Sequence, residues 1–263
     1  MKKRIVSVLM AVSMVAALTA GCGGEKTTGT SAASGNSAEA DSAKEAGNDA
    51  PATESTSGGY EEKKVLRVAM ECAYAPFNWT QESEDVANGD KAVKITNSDG
   101  YAYGYDVKTA KMLADALGWD LEIYKTEWSA IVLGLDAGDY DCIIGGMCYS
   151  EERDKTLDFT TPYYIRDVVL TVKDDGPYAD ISVIDYPTSK SAVDTMSGLK
   201  ILDIDLPCQS ENSNDICIAI REGDTELKDL LQGAMEKCNW TTDNKDGFDA
   251  QMDEMLEVQP SAN

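Results

Sequence analysis

The sequence predicts an α/β domain built around a parallel β-sheet. Short apolar runs of strand length alternate with segments whose apolar residues recur at helical spacing, in the order strand–helix–strand–helix–strand. Glycines follow these helical segments, and glycine commonly ends a helix. The chain has 263 residues, of which 43% are hydrophobic, so it can bury a substantial core.

The folded part begins near Glu61, and its first strand is predicted at residues 65–70, a continuous apolar run suited to a buried position. Residues 106–117 place their apolar side chains on one helical face, and Gly118 follows as a stop. A second helix is predicted at residues 129–137, before Gly138. Further apolar runs predict strands at residues 121–124, 142–144, 168–172 and 216–220. Asp224 is the predicted N-cap of a third helix that carries an apolar stripe.

Composition excludes several classes of function. The chain carries 23 Lys and Arg against 47 Asp and Glu, a formal charge of −24, and such a polyanion is repelled by nucleic-acid phosphates. It contains no histidine, which removes Ser-His-Asp and Cys-His catalytic arrangements and the commonest zinc ligand. We therefore expect no nucleic-acid partner, no metal site and no cofactor.

The first residues resemble a bacterial lipoprotein signal. Lys2, Lys3 and Arg4 precede an apolar run over residues 5–18, and a small-residue stretch leads to Cys22. The prediction is a signal peptide at residues 1–21, lipid on the thiol of Cys22, and an exported protein anchored to the outer face of the cell membrane. Ordinary secretion, with an incidental Cys22, is the alternative.

Residues 22–60 are predicted to be a flexible tether. Between Gly23 and Gly59 there is no Leu, Ile, Val, Met, Phe, Tyr or Trp, while Ser, Gly, Ala and Thr dominate. Such a segment cannot bury enough apolar surface to offset the entropy of ordering it. We expect it to join the lipid to the folded domain.

Seven short motifs resemble those of the amino-acid-binding proteins of ABC importers, solute-binding protein family 3. They occur in the order and spacing of that family between about Val65 and Val172, and they are specific only as a set. The motifs are residues 71–77, 104–107, 126–128, 138–141, 145–147, 150–153 and 158–164.

The resemblance implies a type II periplasmic-binding-protein-like fold, in which an amino acid is held between two α/β lobes. The first lobe is expected at residues 61–172, with a return strand and C-terminal helices at 216–263. Arg153 matches the arginine that grips the ligand carboxylate, and the turn from Gly146 to Ser150 would offer backbone N–H groups to the same anion. Asp185 matches the aspartate that holds the ligand ammonium group. A surface ion pair is the alternative role for Arg153.

Three further residues match positions around the ligand side chain, and a fourth, Cys148, departs from the family. Tyr74 and Trp128 correspond to rings that sandwich it, with plain core packing as the alternative. Glu71 matches an acidic position near its distal end, which favours a polar or cationic amino acid; a solvated loop carboxylate is the alternative. Cys148 stands where the family usually has Ser or Thr, and a thiol is a weaker hydrogen-bonding group.

The second lobe departs from the family. Residues 173–215 leave 43 positions for it, whereas a full lobe needs roughly 90, since even small domains start near 50. An internal deletion would account for the difference. The remnant would then pack as a small appendage beside a half-site, or fail to cover its apolar surface.

The other cysteines leave the disulfide pattern open. Cys142 and Cys238 lie on faces that look buried and are expected to act as small apolar residues. Cys208 and Cys217 flank a short loop and are the favoured disulfide.

The leading function is that of a receptor that captures a free amino acid and delivers it to an ABC permease and its ATPase, without catalysis. A degenerate lipoprotein of the same family that no longer binds ligand is the first alternative. A dehydratase-type enzyme on the same fold is the second, and Glu71 is the one candidate general acid for it.

Overall fold

A computed structural model of the chain describes residue 60 and residues 64–174, 181–202, 204, 206 and 212–260. The predicted signal peptide, the predicted tether up to residue 59, Cys22 and Cys208 lie outside the described residues. The strands are β1 (Val65–Met70), β2 (Ala73–Tyr74), β3 (Asn78–Gln81), β4 (Val93–Lys94), β5 (Tyr101–Tyr103), β6 (Asp120–Lys125), β7 (Cys142–Ile143), β8 (Leu157–Ile165), β9 (Val168–Lys173), β10 (Ile181–Asp185), β11 (Leu199–Leu202) and β12 (Asp215–Arg221). The helices are α1 (Tyr105–Leu117), α2 (Trp128–Ala137), α3 (Tyr186–Thr195), α4 (Thr225–Lys237) and α5 (Lys245–Val258).

The main sheet has the strand order β6–β1–β7–β12–β8. Strand β1 pairs in parallel with β6 and β7, as expected for strands joined by crossover helices. Strand β12 is antiparallel to β7 and β8, so a parallel core is extended by an antiparallel edge. The predicted α/β fold with a parallel-sheet core is confirmed. The long strand β8 was not predicted, because its residues were read only as a family motif.

The predicted helices form close to their expected bounds. Gly118 and Gly138 follow α1 and α2 with φ of 71° and 80°, a left-handed conformation that glycine adopts without strain. The side chain of Asp224 accepts a hydrogen bond from the backbone N–H of Leu227 and so caps α4. These helices cover the two faces of the main sheet with separate apolar clusters.

A four-stranded antiparallel sheet, β2–β3–β5–β4, lies beside the main sheet and was not predicted. Its strands are only two to four residues long, too short for a periodic pattern. Gly104 ends this segment with φ of 127°, and a Cβ there would lie 2.4 Å from the carbonyl oxygen of Phe77. The glycine therefore lets α1 start directly against β3.

A third sheet, the small sheet, is antiparallel and ordered β10–β9–β11, with α3 packed on it. Strand β9 begins at Val168 and is bonded on both sides within this sheet, so the sheet starts before residue 173, the predicted start of the second lobe. Ile181 and Val183 on the edge strand β10 are 45% and 64% exposed. A shortened lobe would leave apolar surface of this kind uncovered.

Several cysteines lie within the described ranges. Cys142 is fully buried and Cys238 is partly buried against the core, as expected for small apolar residues. Cys217 is buried and carries a free thiol in this structure, while Cys208, its favoured disulfide partner, lies outside the described residues. None of the helices in these ranges is both long and apolar enough to cross a lipid bilayer.

Candidate functional site

The turn after β7 is shaped around an aromatic ring. Gly146 has φ of 70°, and a Cβ at this position would lie 3.0 Å from Cε1 of Tyr74. The absence of a side chain therefore allows the Tyr74 ring to lie against the turn backbone. The turn continues through Cys148 to Ser150. The segment matched to the ligand carboxylate therefore begins at the glycine that contacts Tyr74.

Arg153 is held at the end of that turn. Its backbone N–H donates to Ser150 Oγ at 3.2 Å, and its Nη1 donates to the carbonyl oxygen of Cys148 at 2.7 Å. The guanidinium carbon lies 5.8 Å from the ring centroid of Trp128, which is within cation–π range. A guanidinium has five N–H donors, so this arrangement leaves capacity for a carboxylate. Its contacts are not those of the surface ion pair considered as the alternative.

Trp128 is the first residue of α2, and its side chain remains 39% exposed. Core packing, the alternative role, would bury this ring. The exposed face lies beside Arg153, where it can contact an apolar or cationic group. Arg153, Trp128 and the turn thus form one continuous surface.

Tyr74 connects the β2 segment with Asp185 at the end of β10. Its ring stacks on Phe77, with centroids 5.1 Å apart, and its hydroxyl donates to a carboxylate oxygen of Asp185. Asp185 is fully buried and caps α3 by accepting the backbone N–H of Thr188 at 2.9 Å. Burial, reinforced by the negative charge of Asp185, raises the pKa of Tyr74. Tyr74 therefore combines core packing with a polar contact to the small β10–β9–β11 sheet.

Replacing Tyr74 by phenylalanine is expected to lower the free energy of unfolding by about 1 kcal/mol, because it keeps the ring and removes one hydrogen bond to a buried carboxylate. Urea denaturation of the variant and the parent protein measures the change. Tyr186→Phe is the matched control, since that ring is 42% exposed and should leave stability unchanged. A Tyr74→Phe protein as stable as the parent would show that the bond adds no net stability.

A buried polar network supports the same turn from inside the core. Tyr163 donates its hydroxyl to Asp106 at 2.7 Å and accepts the backbone N–H of Gly146 at 3.1 Å. Asn78 donates to the other carboxylate oxygen of Asp106 at 2.7 Å. Burial raises the pKa of Asp106 to about 7, although both hydrogen bonds act in the opposite direction. Sequence reasoning assigned no role to Asp106 or Tyr163, although both lie within quoted motifs.

Cys148 contributes to the candidate site through its backbone. Its carbonyl holds Arg153, and its main chain forms an isolated antiparallel bridge with Ile216. Its half-buried thiol has a pKa raised by burial, while the positive charge of Arg153 lowers it and the negative charge of Asp185 raises it. Arg153 and Asp185, the residues matched to the two charged groups of an amino acid, are thus both close enough to Cys148 to influence its thiol.

Glu71 lies at the same edge of the main sheet. It follows β1 directly and is half-buried, and the backbone N–H of Thr126 donates to the carbonyl of Met70 at 3.0 Å. This bond brings the segment of Glu71 beside the segment that leads to Trp128. The described contacts do not show the carboxylate of Glu71 reaching Arg153 or Asp185.

The arrangement offers a guanidinium, an exposed indole and a buried carboxylate around one glycine turn. Such a set can bind an anionic group and an ammonium group at separate points. Within the described ranges, no group of three or more His, Cys, Asp or Glu side chains is placed to hold a metal ion. Two cavities, of about 430 and 510 Å³, lie elsewhere, one in the small sheet and one beside α2.

Comparison with known proteins matches this chain to one family and to named amino-acid-binding proteins. The family of bacterial extracellular solute-binding proteins, family 3, matches residues 66–242. A protein of Haemophilus influenzae named "Probable amino-acid ABC transporter-binding protein" is 35% identical over 117 residues, 44% of this chain and 39% of that protein. The L-cystine-binding protein of Escherichia coli (strain K12) is 32% identical over 112 residues, 43% of this chain and 36% of that protein. The chain therefore spans less than half the length of these curated relatives.

A solved structure supports the fold. An amino acid ABC transporter substrate-binding protein from Streptococcus pneumoniae, bound to L-arginine, matches with a TM-score of 0.61 and 18% identity. The match covers 76% of this chain and 97% of that chain. At this identity, the similarity shows the type II periplasmic-binding-protein architecture and does not identify a ligand.

Proposed function

Because the chain belongs to family 3 of the bacterial extracellular solute-binding proteins, we propose that it captures a free amino acid and delivers it to an ABC permease and its ATPase. Members of this family act outside the cytoplasm as binding proteins for transporters. The further elements of the proposal are a lipid anchor at Cys22, a ligand held between two lobes, and a polar or cationic ligand side chain.

One observation carries the proposal. The guanidinium of Arg153 is anchored by the carbonyl of Cys148 and lies over the exposed ring of Trp128, at the end of a glycine turn. A carboxylate placed there can accept two parallel N–H bonds from the guanidinium, a strong and directional contact. The reported relatives are binding proteins, and this geometry needs no chemical step.

The ammonium group of the ligand is assigned to Asp185. This carboxylate is fully buried and already accepts bonds from Tyr74 and Thr188. A carboxylate has about four acceptor sites, so it can accept a further bond from an ammonium group. Because Asp185 belongs to the second lobe, its contact with the ligand would draw that lobe onto the turn of the first.

Titration calorimetry of the full chain against the twenty common amino acids tests the proposal. We expect saturable heat with at least one of them, at a stoichiometry of one. Circular dichroism recorded on the same sample establishes that the protein is folded. A folded protein that gives no heat with any ligand would contradict the proposal.

That negative result would favour the second candidate, a degenerate lipoprotein of the same family. One observation supports this candidate: the small sheet leaves Ile181 and Val183 exposed, so the second lobe has less structure with which to close over a ligand. Closure matters because it removes water from the ligand contacts. Turnover of a cyclic acid by the protein would instead support the dehydratase alternative.

A further inference from the structure

Arg166 lies at the point where the chain passes from β8 in the main sheet to β9 in the small sheet. Its backbone N–H donates to the carbonyl of Asn214 at 3.0 Å, immediately before β12. On the other side, the backbone N–H of Tyr186 donates to the carbonyl of Asp167 at 2.7 Å. The residue is therefore fixed by main-chain bonds at the junction of the two lobes.

The same junction contains the residues of the candidate site. Asp185 is paired with Val168 in the small sheet, and Val168 lies two positions after Arg166 in the chain. Cys148 forms a β-bridge with Ile216, and Ile216 lies two positions after Asn214, whose carbonyl accepts the backbone N–H of Arg166. The backbone thus brings Arg166 beside both Cys148 and Asp185.

The guanidinium of Arg166 is close enough to act electrostatically on that site. Its Nε is buried and donates to no acceptor in the described part of the chain. Its positive charge lowers the pKa of the Cys148 thiol, against the larger effect of burial, and it acts in the same direction on Tyr74. A buried donor on a charged group that lacks a partner costs free energy, so its retention calls for an explanation.

Charge balance supplies the explanation. A zwitterionic ligand would use Arg153 for its carboxylate and Asp185 for its ammonium group. Asp185 is occupied further by Tyr74 and Thr188, and the structure shows no ion pair between it and Arg166. Asp215 lies at the same junction and offsets part of the charge of Arg166, but none of the described carboxylates forms an ion pair with Arg166, so its guanidinium is open to a second carboxylate of a bound ligand.

We propose that Arg166 binds a second carboxylate of the ligand and that the protein therefore selects a dicarboxylic amino acid. This inference rests on the proposed function and replaces the polar or cationic ligand side chain, expected from Glu71, with an acidic one. The planar guanidinium suits this role because it can donate two parallel bonds to a carboxylate. Arg166 would thus determine specificity for the side chain, while Arg153 would bind the carboxylate that all free amino acids share.

The test compares acidic ligands with their amides. L-Aspartate, L-glutamate, L-asparagine, L-glutamine and L-arginine are titrated into the full chain, into Arg166→Gln and into Lys200→Gln. The last variant removes a positive charge from an exposed position of the second lobe and is the matched control. We expect the parent protein and Lys200→Gln to bind the acid at least tenfold more tightly than its amide. In Arg166→Gln this preference should disappear, with amide affinity changed by less than threefold.

The outcomes separate the two proposals. If the parent protein binds an amide or L-arginine as tightly as the acids, the inference about Arg166 is wrong and the proposed function stands. The same conclusion follows if Arg166→Gln keeps the preference for the acid. If no amino acid binds the folded parent protein, both proposals fail. The comparison of acid with amide in the parent protein decides the matter even if the variant does not fold.

Discussion

Replacing Arg153 by alanine is expected to lower the affinity for the amino-acid ligand at least about a hundredfold, which corresponds to about 2.7 kcal/mol. The guanidinium is the group matched to the ligand carboxylate, and its removal would leave that carboxylate partly desolvated without a partner. Stability should change little, because Arg153 is only half-buried and lies on a short 3₁₀ turn. Titration calorimetry with the best ligand of the parent protein measures the loss.

Two controls sharpen this prediction. Arg153→Lys keeps the charge but loses the planar fork, so its affinity should fall between those of the parent protein and Arg153→Ala. Lys155→Ala removes an exposed positive charge from the same 3₁₀ turn and should bind as the parent does. If Arg153→Ala keeps full affinity, the ligand carboxylate is bound elsewhere and the proposed site is wrong.

The second large effect is expected at Asp106. Its replacement by alanine should lower the free energy of unfolding by about 3 kcal/mol at pH 5, because it leaves the side chains of Asn78 and Tyr163 without their partner in the core. Asp115→Ala is the matched control, since Asp115 lies on the same helix and is exposed. Urea denaturation of the three proteins gives the comparison, and equal stabilities would refute a structural role for the network.

The contribution of Asp106 to the free energy of unfolding also depends on pH. Its pKa is raised from 3.8 to about 7, so between about pH 4 and pH 7 the folded protein keeps a proton that the unfolded chain has released. Stability from this group is therefore complete below about pH 4 and is lost as pH rises toward 7, with a slope of up to about 1.4 kcal/mol per pH unit.

Asp106→Asn isolates this dependence. The amide keeps the shape of the side chain and cannot ionise, so the difference in stability between the parent and the variant should change across pH 4–7. Carboxylates with the opposite behaviour, such as Asp158, whose pKa is lowered by its hydrogen bond to Lys228, are present in both proteins and cancel in the difference. A difference that stays constant over this range would show that Asp106 does not titrate within it.

Asp106 also connects stability to the candidate site. Its partner Tyr163 accepts the N–H of Gly146, the glycine on which the ring of Tyr74 rests. Loss of the carboxylate should therefore loosen the turn that leads to Arg153. Quoted family motifs contained Gly104, Asp106 and Tyr163, but they did not reveal that these residues meet, because Asp106 and Tyr163 are 57 positions apart in sequence.

The sequence alone determined the family to which the chain belongs and, apart from β8, the strands and helices of the main sheet. It could do so because β1, α1, α2 and α4 follow from local apolar patterns, with glycine stops after α1 and α2 and a cap at Asp224 before α4. The family followed from short motifs, and none of these signals needs knowledge of distant residues. Arg153 was matched to the carboxylate-binding arginine of the family from a motif contained in one short segment, and its role remains a prediction.

Only the tertiary structure decided which groups meet between the main sheet and the small sheet. Tyr74 and Asp185 are 111 positions apart, and their hydrogen bond depends on how the small sheet is attached to the main one. The place of Arg166 likewise follows from its bond to Asn214 and from the start of β9, neither of which leaves a local pattern. Contacts between distant segments arise from sheet pairing and burial of the whole chain, so a reading of short motifs cannot supply them.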